Sequence, residues 1–164
     1  MRPPRMDDLD HFAAMWADID VERYLTGTTH PREESAERLA EWIGHWGHRG
    51  WAEWVVELRA YGTTLGYCGL EDLDGTGEVE VGYGFAKEHW GRGYASEGGR
   101  ASLAWGFQNL SLDRIVGVAE HENAASLRVL DKIGMRYQKD GTWYGKPMRY
   151  LAISRAHWGA RADA

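Results

Sequence analysis

The stretch from Glu78 to Ile133 constrains the fold most. It reads as strand, glycine-rich turn, helix, strand, helix. Glu78 to Phe85 alternates, with Val79, Val81 and Tyr83 on one face and Glu78, Glu80 and Gly82 on the other. Gly91 to Leu110 reads as a helix, Arg114 to Ala119 as a short strand, and Asn123 to Ile133 as a second helix with Gly134 as its C-terminal cap. Two strands joined through a helix run parallel, because only a crossover can connect them. Upstream the pattern is different. Trp51 to Leu58 and Thr64 to Leu70 flank a turn at Tyr61-Gly62-Thr63, and Asp74-Gly75 marks the next turn. These strands and Glu78 to Phe85 form an antiparallel meander. Met135 to Gln138 and Pro147 to Ser154 add two more strands. The class is therefore α+β: a mixed, mostly antiparallel central sheet flanked by helices.

Two amphipathic helices precede the sheet. Met6-Asp7-Asp8-Leu9-Asp10 places carboxylates in a first turn, and Leu9, Phe12, Ala13 and Trp16 make one helical stripe. Pro31 suits the start of the second, where Leu39, Trp42, Ile43 and Trp46 repeat the spacing and Gly47 and Gly50 end it. Ahead of them, Met1-Arg2-Pro3-Pro4 leaves almost no room for a first strand, and two prolines make a poor ladder. The expectation is a stunted first strand, with fewer than four paired residues before Met6, and an open sheet edge that a second copy of the chain could cover as a homodimer. The 164 residues suit one domain, residues 1–158, followed by a small, polar, loose tail at 159–164.

Composition removes several function classes. The net charge of −6 argues against a broad basic face for nucleic acid. The longest apolar run, Phe12 to Ala17, is six residues, too short for a membrane span or a signal-peptide core, so a cytoplasmic protein is expected. The single cysteine, Cys68, excludes an intrachain disulfide framework, and as a strand residue it reads as small and buried. The seven histidines show no metal-ligand spacing, so no metal is expected. Twenty-one glycines exceed the usual share of ~7%, so some backbone must stay bare.

Trp90-Gly91-Arg92-Gly93-Tyr94-Ala95 is where bare backbone has a chemical use. The first turn of a helix carries N–H groups without intrahelical acceptors and the positive end of the helix dipole. Glycines let phosphate oxygens approach those groups, and Arg92 adds a formal charge. Glu97 occupies the place where a dinucleotide fingerprint needs glycine or alanine, and no Gly-Lys-Ser/Thr follows for a P-loop. Coenzyme A is then the natural diphosphate.

Val79-Glu80-Val81-Gly82-Tyr83-Gly84-Phe85 followed by Trp90 to Glu97 resembles the acetyl-CoA signature of the GNAT superfamily of N-acetyltransferases. A second block, Glu122-Asn123-Ala124-Ala125-Ser126 through Leu130-Asp131-Lys132-Ile133-Gly134-Met135, resembles the branch typified by ribosomal-protein N-terminal acetyltransferases, the RimJ/RimL type. The resemblance implies the acyl-CoA N-acyltransferase fold, with the sheet splayed between two adjacent strands and acetyl-CoA as co-substrate. It places the diphosphate on the backbone of Gly91, Arg92, Gly93, Tyr94 and Ala95. It places the pantetheine arm along Tyr83, Gly84 and Phe85, with Gly82 and Gly84 fitting a bulge at the splay. It gives Asn123 a hydrogen bond to the pantetheine and sets Ser126 near the sulfur. Two positions depart from the pattern: Trp90 replaces the usual Gln or Arg, and Leu130 stands where many members carry a tyrosine acid.

The implied reaction is direct attack of a neutral amine on the thioester. Glu80 is the first candidate for the base that receives the amine's proton, with Glu71 and Asp72 as alternatives. A backbone N–H of Tyr83 to Phe85 would steady the oxyanion, and Ser126 or a water would complete the transfer. A thiol of pKa about 8.5 leaves with little help. Trp16, Trp42 and Trp105 read as core. Tyr24, Trp46, Trp51 and Trp54 are the expected aromatic lining of the acceptor site. The acceptor would be an amine on a small molecule or a protein N-terminus. The alternative is a non-catalytic acyl-CoA-binding or regulatory module.

Overall fold

The computed structural model describes residues 1–162. The helices are α1 (Leu9–Trp16), α2 (Ile19–Glu22), α3 (Arg32–Arg49), α4 (Tyr94–Asn109), α5 (Ala124–Lys132) and α6 (Arg155–Ala162). The strands are β1 (Glu53–Glu57), β2 (Thr64–Asp72), β3 (Val79–Phe85), β4 (Arg114–Glu120), β5 (Arg136–Trp143) and β6 (Lys146–Ser154). Among the described residues they form a six-stranded sheet in the order β1-β2-β3-β4-β6-β5. The β1–β2, β4–β6 and β5–β6 pairs are antiparallel, and β3 runs parallel to β4 with Glu80 opposite Val116. This is the mixed α+β sheet that the crossover requires. The chain forms two compact units. One comprises Met1–Gly69 and Tyr83–Gly98; the other comprises Leu70–Gly82 and the chain from Gly99 onward.

In the first unit the α1 stripe behaves as its spacing predicts: Phe12, Ala13 and Trp16 are buried. They join Leu39 and Trp42 of α3 with Val55 and Tyr67 of the strands in one core. Phe12 stacks on Trp16 at 5.1 Å and meets Trp42 edge-on at 5.2 Å. Pro31 is the N-cap of α3, and the helix runs through Gly47 to close at Gly50, whose φ of 72° is left-handed. Gly47 therefore does not end the helix; it and Gly44 each cost up to ~1 kcal/mol in the interior of α3. Trp42 and Trp46 both donate their indole N–H to the Glu53 carbonyl, at 2.9 and 2.7 Å. That shared acceptor fixes α3 against the start of β1.

The first strand is reduced to one bridge, between Arg2 and Val55. Side-chain chemistry holds what the ladder does not. The Arg2 guanidinium spans both oxygens of Asp8, at 2.5 and 2.9 Å, and reaches Glu57 at 2.9 Å. Burial would push the Asp8 carboxyl up; the Arg2 hydrogen bonds and the Arg5 N–H outweigh it and hold the group below the ordinary range.

In the second unit Leu73, Val116, Trp143, Met148 and Tyr150 form a core. The glycines of α4 are places of close approach. A Cβ on Gly106 would stand 2.7 Å from Leu70, and one on Gly99 would stand 3.2 Å from Ile133. Two sequence expectations, the extent of β5 and the burial of Trp105, need correction. β5 extends to Trp143, well beyond Gln138, because its polar run Lys139-Asp140-Gly141 shows no alternation and is held by its ladder with β6. The segment 159–164 begins inside α6, which runs to Ala162; residues 163 and 164 lie outside the described residues. Trp105 is half-buried, not core. No helix among the described residues is long and apolar enough to cross a membrane.

Candidate active site

Consider first the glycine turn, in the first unit. β3 ends at Phe85, a short 3-10 turn covers Lys87–His89, and α4 opens at Tyr94. Gly91 and Gly93 have φ of 74° and 87°, so both need the left-handed conformation that glycine adopts without penalty. Nothing lies within 4 Å of where a Cβ would stand on either residue. The turn is open as well as bare. Arg92 is exposed between them, and Tyr94 and Ala95 are half-buried in the first turn of α4. Trp90, 47% exposed, donates its indole N–H to the Phe85 carbonyl at 2.7 Å. This bond ties the turn to the strand end and occupies one lone pair of the expected pantetheine edge. The Tyr94 ring stacks on Phe85 at 6.5 Å.

Gly84 is also required by packing. A Cβ there would meet the Tyr67 ring at 2.6 Å, and a Cβ on Gly66 would meet the Gly84 carbonyl oxygen at 2.2 Å. Gly66 and Gly84 are bare so that β2 and β3 can approach with the tyrosine laid across them. The β3–β4 pairing is recorded at Glu80 and Val116, upstream of Gly82 and Gly84. In the same unit a Cβ on Gly98 would press on Cys68 at 3.0 Å, and Cys68 is fully buried.

The carboxylates lie in the second unit. Glu80, expected on the polar face of its strand, is 4% exposed. The Tyr144 hydroxyl donates to its Oε1. Tyr144 is the first residue of the two-residue β5–β6 hairpin loop, with φ of 53° followed by Gly145 at 71°, a type I′ arrangement. Asp74, φ 43°, is the other non-glycine residue in the left-handed region among the described residues. The two are clasped: Tyr144 N–H donates to Asp74 Oδ2 at 2.8 Å, and Asp74 N–H donates to the Tyr144 hydroxyl oxygen at 3.2 Å. The phenol has one proton. The Asp72 carbonyl at 3.4 Å is the weaker acceptor, so Glu80 receives it. Burial first, and then the charge and hydrogen bond of Glu80, hold the Tyr144 phenol far above its ordinary value, so it remains a donor.

Glu78, two residues earlier, is handled differently. It accepts from Tyr150 at 2.7 Å and pairs with the Arg114 guanidinium. Burial and that glutamate push the Tyr150 phenol up to about 12. The alternative bases Glu71 and Asp72 close β2, both half-buried.

Asn123 is the N-cap of α5, its Oδ1 accepting from Ser126 N–H at 3.1 Å. The amide nitrogen remains a donor. Ser126 is half-buried on the first turn. Leu130, at the position of the family's tyrosine acid, is 1% exposed and fills the space beside Gly117.

Of the four acceptor-site aromatics, the structure joins two. Trp46 and Trp54 meet edge-on at 5.5 Å, and Trp54 is buried. Trp51 lies under the Arg49 guanidinium at 5.8 Å, and Tyr24 is half-buried just past α2. Among the described residues no group of three or more His, Cys, Asp or Glu could hold a metal ion. A cavity of about 350 Å³ in the second unit, bordered by Leu127, Asp131 and Arg136, contains none of the expected site residues.

Sequence reasoning missed Tyr144. Its signal was a Tyr-Gly pair between two strands, but the first strand's end was not legible there.

Comparison with known proteins follows the same lines. The family described as "Acetyltransferase (GNAT) domain" matches residues 1–136. The protein YkkB of Bacillus subtilis (strain 168) is 34% identical over 153 residues, covering 87% of this chain and 86% of the relative. Among solved structures, a GNAT-family acetyltransferase from Bacillus anthracis superposes with a TM-score of 0.80 at 25% identity, covering 93% and 92% of the two chains. A spermidine N-acetyltransferase from Vibrio cholerae, solved with CoA and spermine, shares the fold with a TM-score of 0.77 at 19% identity over 96% and 95%.

Proposed function

The chain belongs to the GNAT acetyltransferase family, and from that premise we propose that residues 1–158 act as one N-acetyltransferase domain that moves acetyl from acetyl-CoA to an amine. The observation that carries the donor is the open, left-handed glycine turn with Arg92 at the start of α4. A diphosphate bound on Gly91, Arg92, Gly93, Tyr94 and Ala95 would meet unpaired N–H groups, the helix dipole and one guanidinium. Trp90 cannot add charge, so those groups serve alone. The pantetheine would run along Tyr83, Gly84 and Phe85, with the Asn123 amide as a further donor.

The acceptor amine must first lose a proton, and Glu80 is the proposed recipient. The Glu80 carboxylate is buried and accepts a hydrogen bond from a neutral phenol, whereas Glu78 is already committed to Arg114. The amine nitrogen then attacks the thioester carbonyl, the C–N bond forms, and the C–S bond breaks. A backbone N–H at the β3 end would steady the oxyanion. The attacking nitrogen gives up its second proton to water or Ser126, which passes its own proton on to the departing thiolate. Leu130, sealed in the core, takes no part.

The Asn123 to Met135 block supports placement near the RimJ/RimL-type branch, and the bacterial relatives support a cytoplasmic enzyme. The charge of −6 favours a cationic acceptor, a class that includes polyamines and amino sugars, by steering. Of the aromatics proposed to border it, Trp46 and Trp54 form an edge-on pair.

The test is thiol release from acetyl-CoA with a panel of polyamines, amino sugars and peptide N-termini. Turnover on at least one amine, lost in Glu80→Gln, is expected. Tight CoA binding with no turnover on any amine would sink the catalytic reading and leave a CoA-binding module.

A further inference from the structure

We infer that Tyr144 is a positioning residue for Glu80, aiming the carboxylate and keeping it ionised, and that the Asp74 turn holds Tyr144 in place for this purpose. The inference rests on the reading of Glu80 as the base. Its evidence is separate from the glycine turn and lies wholly in the second unit.

Three observations carry it. Glu80 is 4% exposed, yet its carboxylate is met by a hydroxyl from a residue 64 positions away in the chain. The tyrosine that supplies the hydroxyl sits in a backbone region that a bulky side chain rarely enters. Its partner Asp74 shares that region, and the pair bond to each other through both main-chain N–H groups. Hairpin loops of this type ordinarily use Asn or Asp with glycine at no such cost. A tyrosine there gives up backbone preference. The clasp to Asp74 offsets it, and the hydroxyl is delivered to Glu80.

The direction of the effect follows from charge. Desolvation favours the protonated acid, and a donor to the carboxylate favours the anion. Other groups facing this region are Glu71 and Asp72 at the end of β2, Asp74 in the turn, and Glu78 with its partners Arg114 of β4 and Tyr150 of β6. Lys146, just past the loop, is engaged with Glu120 at 2.7 Å. Glu71, Asp72 and Asp74 are acidic and oppose a second anion, so the phenol counteracts both burial and like charge.

The experiment follows the Glu80 side-chain carboxyl by carbon-13 NMR through a pH titration, alongside the pH profile of kcat/KM on the amine found above. In Tyr144→Phe the midpoint rises by about one pH unit, a tenfold shift in ionisation, and the acid limb of kcat/KM moves with it. KM for acetyl-CoA stays unchanged. Asp74→Gly, which keeps the left-handed backbone but removes the clasp, shifts both in the same direction by less. Replacing Tyr144 with 3-fluorotyrosine, a similar-sized but more acidic phenol, lowers the midpoint. A midpoint unmoved in Tyr144→Phe and in the fluorinated protein overturns the inference while leaving Glu80 as base. Wild-type turnover by Glu80→Gln overturns the base assignment itself, and with it the role of Tyr144.

Discussion

The glycine turn and the Glu80–Tyr144 pair are built in opposite ways. The turn is local: Trp90 to Ala95 carry its chemistry in six consecutive residues, and what they present is backbone. The carboxylate site is distant in sequence: β3, the Asp74 turn and the β5–β6 hairpin each supply one part, and what they present is side chains. Backbone chemistry is written where glycine must be, so it survives reading one residue after another. Side-chain chemistry depends on which strands are neighbours.

The largest expected effect tests the distant site. Glu80→Gln lowers kcat by about 10² to 10⁴, the usual worth of a placed base, with KM for acetyl-CoA unchanged. An equal loss in both parameters would mean that Glu80 shapes the cofactor side instead. The local site is tested by Gly93→Val. Its φ of 87° strains any β-branched residue, and the new side chain stands where the diphosphate would lie. KM for acetyl-CoA rises by at least ~10-fold and the backbone strain lowers the melting temperature somewhat, while the far-UV spectrum is kept, since the Cβ displaces nothing within 4 Å. Collapse of the fold would show that the turn is structural.

Leu130→Tyr asks whether a missing local motif residue can simply be restored. Leu130 fills the space over Gly117, 2.7 Å from where a Cβ would stand, so overpacking should cost about 1–3 kcal/mol in urea unfolding with no gain in turnover. Faster thiol release would contradict this packing argument. The smallest effect belongs to Arg92→Gln. The guanidinium is exposed, so KM for acetyl-CoA rises a few-fold at low salt and converges with wild type as salt screens the charge.

Much of the fold was legible for the same reason as the turn. The stripes of α1 and α3, the hairpin turns and the strand–helix–strand crossover are all periodic or punctuated within a short window. β5 was not, because Lys139-Asp140-Gly141 pairs with β6 without burying an apolar face. The helix through Gly159 escaped notice because small residues suggest a loose end. Within the site, the need for bare backbone at Gly91 and Gly93 was legible, and both take left-handed conformations. Gly84 has a packing reason that the sequence did not show: the Tyr67 ring, seventeen residues upstream, lies where its Cβ would stand. Glu80 was identified by its place before the strand's end. Its burial and its phenol partner required the hairpin to be folded back.

Cys68 gives the chain a practical property. It is the single thiol in the sequence, it is fully buried, and Gly98 packs directly on it. A native preparation should therefore be silent to a thiol-reactive dye, so the colour developed during turnover comes from released coenzyme alone. The same silence makes slow labelling a clock. Its rate reports how often the α4 start lifts away from β2, without any added reporter group.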